Sequence, residues 1–432
     1  MPSPPASDVL GDFEARGLVH DSTDRRELAR RLAEGAISVY CGFDPTADSL
    51  HVGHLLGILA LRRFQLAGHR PIALAGGATG MIGDPSGRSE ERNLLDAETL
   101  ATNLVAIEGQ LRRLLAGDGS GPEVAFVDNA SWTGGLGLVE FLRDVGKHVS
   151  VNQMLGREAV RARLAGTEGL SFTEFSYVLL QAHDYVWLHQ HEGCDLQVGG
   201  SDQWGNIAAG VDLVRRRTGH QVHGLTWPLL TRADGTKFGK SAGANVWLDS
   251  RRTSPYAFYQ HWMQVDDVDV ARFLLQLTLL GTDEVDAVVA EHRQAPARRA
   301  GQRRLAWETT ALVHGAEAAV AAQAASEVLF GARSDDVPTA AYRMLEGELG
   351  SLSLERRRLR PGAELDRLLV ETGLTVSLGD ARRQLAQGAV YVNGRRVQGE
   401  GATLSGDDLR QGGWILLRRG KREHRLVRAV GD

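Results

Sequence analysis

A polar, glycine-containing loop separates an apolar strand from an apolar helix near the start of the chain. Residues 36–39 predict the strand and residues 55–61 predict the helix. Ligands of open α/β sheets bind beyond the carboxyl ends of the strands, and a helix N-terminus offers unpaired N–H groups to an anion. His51 and His54 are three residues apart, so they lie on one side of the first helical turn, and Gly53 allows a close backbone approach. The loop at 40–54 therefore predicts a ligand site.

Two more glycine-rich polar loops follow predicted strands. The strand at 71–75 leads into the loop 76–87, and the strand at 194–198 leads into the loop 199–206. A further strand at 124–127 and an amphipathic helix at 96–116 lie between them. Strands that alternate with helices predict an α/β fold with a Rossmann-like, doubly wound parallel sheet.

One helical face and one flexible loop add polar groups to this site. Tyr177, Gln181 and Asp184 are spaced i, i+4 and i+7, which places them on one face of a helix and suggests a lined pocket. Lys237 and Lys240 bracket a glycine in the loop that follows residue 230. Histidine, threonine, lysine and glycine-rich loops together are the groups needed to stabilise a nucleoside triphosphate while its α-phosphorus is attacked.

Composition and missing motifs exclude several classes of protein. The chain has 432 residues, 43% of them apolar, which is enough for two or three domains with full cores. It has no P-loop, no Gly-x-Gly-x-x-Gly fingerprint and no Cys/His zinc spacing, which argues against ordinary NTPases, dehydrogenases and zinc sites. The histidines between 183 and 191 are not spaced like metal ligands, and we expect no metal site.

Charge and cysteine usage indicate where the protein works. The two cysteines, Cys41 and Cys194, are far apart, so we expect no disulfide and a reducing compartment. No signal core or 18-residue apolar run is present, so we expect a cytoplasmic protein with no membrane partner. The net charge is −5, but residues 361–432 carry 12 Lys+Arg against 9 Asp+Glu. A basic end on an acidic body hints at a nucleic-acid contact.

The motifs together resemble one enzyme family. His51-Val52-Gly53-His54 after a strand, with Lys237-Phe238-Gly239-Lys240-Ser241, resembles the paired signatures of class I aminoacyl-tRNA synthetases. The segments 40–46, 76–86, 176–184 and 199–206 narrow the resemblance to the bacterial-type tyrosyl-tRNA synthetases, from about residue 8 onwards. The resemblance implies a tyrosine–tRNA ligase that forms tyrosyl-adenylate from L-tyrosine and Mg²⁺-bound ATP, and then transfers the tyrosyl group to tRNA(Tyr). It implies no tightly bound cofactor.

The resemblance also implies a role for each matching residue. Tyr40 and Asp184 would hold the phenol hydroxyl of tyrosine, and Asp84, Tyr177 and Gln181 would hold its ammonium group. Gln203 would approach the substrate carboxylate and the α-phosphate. The expected nucleotide contacts are Cys41, Gly42, Asp44, Gly53, Asp202 and Lys240, with His54 near the ribose and adenine. The expected catalytic groups around the phosphates are Thr46, His51, His54, Arg88, Arg92, Lys237, Lys240 and Ser241.

The resemblance divides the chain into four parts. Residues 1–235 would form the catalytic domain, with a dimer-forming helical insertion near 130–175. Residues 236–335 would hold the signature loop and a helical anticodon-arm domain, and 363–432 a small α+β RNA-binding domain. Between them, the stretches Ser-Asp-Asp-Val-Pro and Leu-Arg-Pro-Gly predict a linker over 336–362. The expected phosphate contacts in that last domain are Arg367, Arg382, Arg383, Arg395 and Arg396. The family forms homodimers, and Val139, Phe141, Leu142 and Val149 are candidates for the interface.

Plainer interpretations remain open for single residues. Tyr40 and Cys41 could be core residues, Asp84 could cap a turn, and the lysines and arginines could be solvated surface charge. We expect Trp132, Trp187 and Trp204 to serve packing. Rival functions are a tryptophan synthetase of the same fold, a non-catalytic RNA-binding paralogue, and a nucleotidyltransferase with another acid substrate.

Overall fold

A computed structural model describes residues 8–86, 95–116, 119, 121–165, 169–233, 235–236, 238, 240–241, 244–330, 337–399 and 401–431. The chain forms two compact units. The first comprises residues 1–253 and 265–305, and the second comprises 254–264 and 306–432. The sequence predicted domain boundaries elsewhere, at 235, 335 and 362.

The centre of the first unit is a parallel sheet of five strands, in the order β3-β2-β1-β4-β5. The strands are β1 (Ser38–Phe43), β2 (Arg70–Ala75), β3 (Ala125–Asp128), β4 (Cys194–Gly200) and β5 (His223–Trp227). The strand order reverses between β1 and β4, which is where ligands bind in doubly wound sheets. The predicted fold class is confirmed, and β5 is a strand that the sequence analysis missed.

Helices cover this sheet. They are α1 (Val9–Ala15), α2 (Arg25–Glu34), α3 (Leu55–Leu66), α4 (Ala97–Ala116), α5 (Ala130–Thr133), α6 (Leu138–Asp144), α7 (Val151–Leu155), α8 (Glu158–Leu164), α9 (Phe172–Glu192) and α10 (Trp204–Thr218). A core of Tyr40, Ile72, Val178, Tyr185 and Leu213 joins the sheet to α9 and α10. Burial of this apolar area is the main force that fixes both helices against the strands.

The rest of the first unit follows the sheet. A short antiparallel pair, β6 (Lys240–Ser241) and β7 (Ala244–Asn245), lies at the second signature. Beyond it come α12 (Asp267–Leu277) and α13 (Thr282–Gln294), while α14 (Ala300–His314) crosses the division between the units. No helix in the described ranges is long and apolar enough to cross a membrane.

The second unit combines helices with a five-stranded sheet in the order β11-β10-β13-β14-β8. Its helices are α11 (Pro255–Met263), α15 (Ala316–Leu329), α16 (Thr339–Leu349), α17 (Leu365–Glu371) and α18 (Leu378–Ala386). Its strands are β8 (Ser351–Glu355), β9 (Ala363–Glu364), β10 (Val390–Val392), β11 (Arg395–Val397), β12 (Thr403–Leu404), β13 (Trp414–Arg419) and β14 (Glu423–Val430). The predicted hairpin is present: Asn393 and Gly394 both have positive φ, as its two-residue turn requires.

The predicted linker at 336–362 is wrong where the structure describes it. α16 packs through Ala341, Tyr342 and Leu345 against Trp414 and other apolar residues, and β8 pairs in parallel with β14. Of the Pro and Gly residues that suggested a linker, Pro338 caps the start of α16, and Pro361 and Gly362 directly precede β9. They therefore lie at the boundaries of secondary structure rather than in a linker.

Candidate active site

A cavity of about 390 Å³ opens at the carboxyl ends of the parallel strands. All the predicted tyrosine-pocket residues line it, and so do most of the predicted nucleotide and phosphate contacts. They are Tyr40, Cys41, Gly42, Asp44, Thr46, His51, Gly53, His54, Asp84, Tyr177, Gln181, Asp184, Asp202 and Gln203. Residues from four separate stretches of sequence therefore meet in one site.

Several predicted residues cannot be placed in this cavity. Arg88, Arg92 and Lys237 lie outside the described residues. Lys240 and Ser241 form β6 through their backbone. Just beyond β6, two backbone hydrogen bonds tie the chain to the first signature: Val52 N donates to Val246 O at 2.9 Å, and Leu248 N donates to Leu50 O at 2.8 Å. The chain after the second signature thus runs beside the first signature.

Tyr40 and Asp184 form a buried polar pair at the cavity wall. The Tyr40 side chain is 1% exposed, and its hydroxyl has no hydrogen-bond partner within the described part of the chain. Burial and the nearby Asp184 charge hold the pKa of Tyr40 well above its ordinary value, so the hydroxyl stays protonated. A buried hydroxyl without a partner costs free energy, which makes Tyr40 ready to bond a polar group of a ligand.

Asp184 is oriented by two side chains that the sequence analysis did not assign to the site. Asn129 Nδ2 donates to Oδ2 at 2.9 Å, and Trp132 Nε1 donates to Oδ1 at 2.8 Å. Burial raises the pKa of Asp184 to about 7, while these two bonds act in the opposite direction. The expectation that Trp132 serves packing alone is therefore incomplete. The sequence did offer a signal for Asn129 as a site residue, since it follows the end of a strand as the other polar loops do.

Asp84 accepts hydrogen bonds from the third glycine-rich loop and from its own loop. It accepts from Gln203 Nε2 at 2.6 Å and from Ser86 N at 2.9 Å. Gln181 Nε2 donates to Gln203 Oε1 at 3.3 Å, which leaves Gln181 Oε1 buried without a partner among the residues described. A carboxylate and a free amide oxygen at one wall of a cavity suit an ammonium group.

Asp44, a predicted nucleotide contact, lines the cavity beside Tyr177. The Tyr177 hydroxyl donates to Asp44 Oδ2 and Thr79 Oγ1 donates to Oδ1, both at 2.9 Å. The glycine-rich loop at 76–77 makes this possible, because a Cβ on Gly76 would lie 2.1 Å from Asp44 Oδ1. Tyr177 uses its hydrogen on Asp44, so its oxygen can still accept from a ligand.

The two histidines of the first signature are fixed by backbone N–H groups. His51 Nδ1 accepts from Gly53 N at 3.0 Å, and His54 Nδ1 accepts from His51 N at 3.1 Å. When Nδ1 accepts, the proton of a neutral imidazole is at Nε2. Both rings line the cavity, and their centroids are 4.0 Å apart.

Cys41 is a buried thiol beside the same cavity. Burial raises its pKa to about 12, so it is uncharged at neutral pH and unsuited to nucleophilic attack. Across the described ranges, no group of three or more His, Cys, Asp or Glu side chains could hold a metal ion.

The predicted RNA-contacting arginines are exposed but engaged within the second unit. Arg382 pairs with Asp366 at 3.0 Å and Arg395 with Asp408 at 3.4 Å, and Arg367 and Arg383 pair with Glu364 and Asp380. Arg396 donates to the carbonyls of Gly388 and Gln387. Exposed ion pairs contribute only about 0–1 kcal/mol, so phosphates could replace these partners at little cost.

Comparison with known proteins identifies the class first. The family model "tRNA synthetases class I (W and Y)" matches residues 32–331, and the "Tyrosine--tRNA ligase SYY-like C-terminal domain" matches 354–427. The tyrosine–tRNA ligase of Opitutus terrae is 49% identical over 98% of this chain and 100% of its own length. That of Mycobacterium tuberculosis is 50% identical over 98% of this chain and 99% of its own.

A solved structure supports the same family assignment. A C-terminally truncated mitochondrial tyrosyl-tRNA synthetase from Aspergillus nidulans superposes with a TM-score of 0.69 at 33% identity, covering 75% of this chain and 94% of that one. The chain belongs to the tyrosine–tRNA ligase family. The predicted family and the predicted class of enzyme, an aminoacyl-tRNA synthetase, are confirmed.

Proposed function

We propose that this chain joins L-tyrosine to tRNA(Tyr) in two steps. The tyrosine carboxylate attacks the α-phosphorus of ATP, a new P–O bond forms, and the bond to the bridging oxygen breaks to release pyrophosphate. A hydroxyl of the terminal tRNA ribose then attacks the carbonyl carbon, and AMP leaves. No side chain needs to become covalently attached, since positioning and charge stabilisation lower the barrier.

The observation that carries this proposal is the buried Tyr40 hydroxyl beside Asp184. Tyr40 supplies a donor and Asp184 supplies an acceptor, and together they would bind both sides of a phenol hydroxyl. Phenylalanine would leave both groups unpaired in a buried site. Tyrosyl-tRNA synthetases are themselves the standard example of selectivity obtained in this way. An indole ring offers no hydroxyl to this pair, which disfavours the tryptophan alternative.

The other walls are matched to the rest of the substrates. Asp84, Tyr177 and Gln181 would hold the ammonium group, and Gln203 would lie near the carboxylate and α-phosphate. Thr46, His51 and His54 would stabilise phosphate and ribose, with Cys41, Gly42, Asp44, Gly53 and Asp202 at the nucleotide. Lys237, Lys240, Ser241, Arg88 and Arg92 would add charge and a hydroxyl. Mg²⁺ would enter with ATP as part of the substrate, and no tightly bound cofactor is needed.

The exposed apolar surface of the first unit supports a homodimer. Leu138 and Val139 are 73% and 77% exposed, and Leu142 and Val151 are more than half exposed. Of the four predicted interface residues, Val139 and Leu142 face outwards, whereas Phe141 and Val149 pack against the core. Apolar patches of this kind mark protein interfaces. The proposed partners are thus a second copy, L-tyrosine, ATP and tRNA(Tyr), in the cytoplasm.

Amino-acid-dependent ATP–pyrophosphate exchange with each of the twenty amino acids tests the proposal. Exchange with tyrosine alone is the expected result. Exchange with tryptophan would retain the fold and discard the Tyr40/Asp184 assignment, and no exchange from a folded protein would favour a non-catalytic RNA-binding role.

A further inference from the structure

Asn206 lies behind the proposed ammonium site, in the first turn of α10. Its side chain is 7% exposed. Its Nδ2 lies 3.3 Å from Gln203 Oε1, 3.4 Å from Ser86 Oγ and 3.5 Å from Asp84 Oδ1. One amide nitrogen therefore joins the carboxylate and the glutamine that the proposed function places at the substrate. Asn206 itself does not line the cavity, so it acts through those two residues.

A cation holds the other end of this amide. Arg157, which immediately precedes α8, donates from Nη1 to Asn206 Oδ1 at 3.2 Å. Burial lowers the pKa of Arg157 to about 10, which leaves it charged at neutral pH. Because guanidinium groups only donate, Oδ1 must face Arg157 and Nδ2 must face Asp84 and Gln203.

The hydrogen bonds therefore run in one direction through four side chains. Arg157 is a pure donor at one end and the Asp84 carboxylate is a pure acceptor at the other. Between them Asn206 donates to Gln203 Oε1, which also accepts from Gln181 Nε2, while Gln203 Nε2 donates to Asp84. Since Gln181 Nε2 donates to Gln203, Gln181 Oε1 remains a buried acceptor without a partner among the described residues.

We propose that Arg157 and Asn206 are positioning residues for the substrate ammonium group, fixing the orientation of Asp84, Gln203 and Gln181 from outside the cavity. The proposal rests on the proposed function, because it takes a substrate with an ammonium group at that wall. It assigns Arg157 to the tyrosine site, although that residue lies in the segment 130–175 that the sequence analysis connected with dimerisation only.

The test compares two ligands that differ only in the ammonium group. Equilibrium dialysis without ATP measures the Kd of L-tyrosine and of 3-(4-hydroxyphenyl)propionate for the full chain and its variants. Arg157→Met retains an unbranched, flexible side chain and removes its charge and its hydrogen-bond donors. We expect about tenfold weaker binding of L-tyrosine and a much smaller loss for the desamino ligand, since Asp84 and Gln181 serve only the ammonium group, whereas both ligands carry the carboxylate near Gln203.

A double-mutant cycle adds a second readout. Asn206→Ala should weaken L-tyrosine binding to a similar extent, and Arg157→Met should have no further effect in that background, since Arg157 acts through Asn206. Arg161→Met is the matched control, because Arg161 is exposed on the neighbouring helix α8, and it should behave like the wild type.

Two results would overturn the proposal. One is equal weakening of both ligands by Arg157→Met, which would show a general loss of the pocket. The other is unchanged L-tyrosine binding in that variant. Failure of the proposed function is a different observation, namely wild-type protein that shows no tyrosine-dependent exchange.

Discussion

At the scale of single residues, two buried tyrosines that contact each other have different roles, one in ligand binding and one in stability. The rings of Tyr40 and Tyr185 lie edge to face with centroids 5.2 Å apart, and both side chains are fully buried. The Tyr185 hydroxyl donates to His223 O at 2.6 Å, whereas the Tyr40 hydroxyl has no partner in the part of the chain described. The same chemical group is thus satisfied at one position and reserved for a ligand at the other.

Tyr40→Phe should therefore increase the stability of the free protein and decrease its activity with tyrosine. Removing a buried unsatisfied hydroxyl should raise the free energy of unfolding by about 1 kcal/mol, while kcat/KM for tyrosine falls at least tenfold. Tyr185→Phe is the matched control and should lower the free energy of unfolding by about 1 kcal/mol. Urea titrations without substrate and pyrophosphate exchange measure the two quantities. Destabilisation by both variants would contradict this account.

Trp132→Phe tests how Asp184 is kept ionised. The bond from Trp132 Nε1 lowers the pKa of Asp184, which burial has raised to about 7, so its loss should raise that pKa further. The carboxylate form accepts from the phenol, so kcat/KM for tyrosine falls as the pH drops through this pKa. The acid limb of the profile should move to higher pH. Trp187→Phe, which changes the ring stacked on Trp132 at 4.0 Å, should leave that limb in place.

At the scale of elements, the junction between β1 and α3 depends on one glycine. A Cβ on Gly53 would lie 2.8 Å from His51 Cε1 and 3.0 Å from its Nδ1, so the ring would have to move. Gly53→Ala should lower kcat on the order of 100-fold, a cost typical of a misplacement of about 1 Å, with the KM for tyrosine nearly unchanged. Gly109→Ala, on the exposed face of α4 with open space around it, should retain full activity. A change in KM alone would contradict the assignment of His51 to the phosphates.

Sequence patterns predicted the elements that local chemistry determines and missed those that depend on distant partners. The i, i+4, i+7 spacing placed Tyr177, Gln181 and Asp184 on one face of α9, and all three line the cavity. Asn129 and Trp132 were missed because their bonds to Asp184 span more than fifty residues and no spacing rule connects them. β8 was missed for the same reason, since it pairs with the distant strand β14.

At the scale of the whole molecule, the C-terminal arginines are best tested by substitution rather than by truncation. Removing 363–432 would also remove β14, the partner of β8, and would uncover the apolar face of α16. Replacing Arg367, Arg382, Arg383, Arg395 and Arg396 by Gln should leave pyrophosphate exchange unchanged and raise the KM for tRNA. The dependence of tRNA binding on salt should weaken by about one unit of slope for each arginine–phosphate pair removed. An unchanged slope would place the RNA-binding surface elsewhere.

The exposed apolar residues of α6 make a second prediction at this scale. A double variant, Val139→Asp with Leu142→Asp, should convert a dimer into monomers in sedimentation equilibrium, because burying two carboxylates at an interface is costly. Val105→Asp changes an equally exposed valine on α4 and should not affect the assembly state. A wild-type protein that sediments as a monomer would contradict the proposed homodimer.

The pairing of β8 with β14 has a consequence for synthesis on the ribosome. The neighbours β10 and β11 can form their hairpin as soon as they emerge, but β8 cannot pair with β14 until residues 423–430 have been made. Until then Leu354 and the apolar face of α16 lack the strands that bury them. Pairing between distant segments is slow, and until it occurs the apolar surface stays exposed and prone to aggregation. The nascent second unit should therefore be the part of this enzyme that most needs a chaperone.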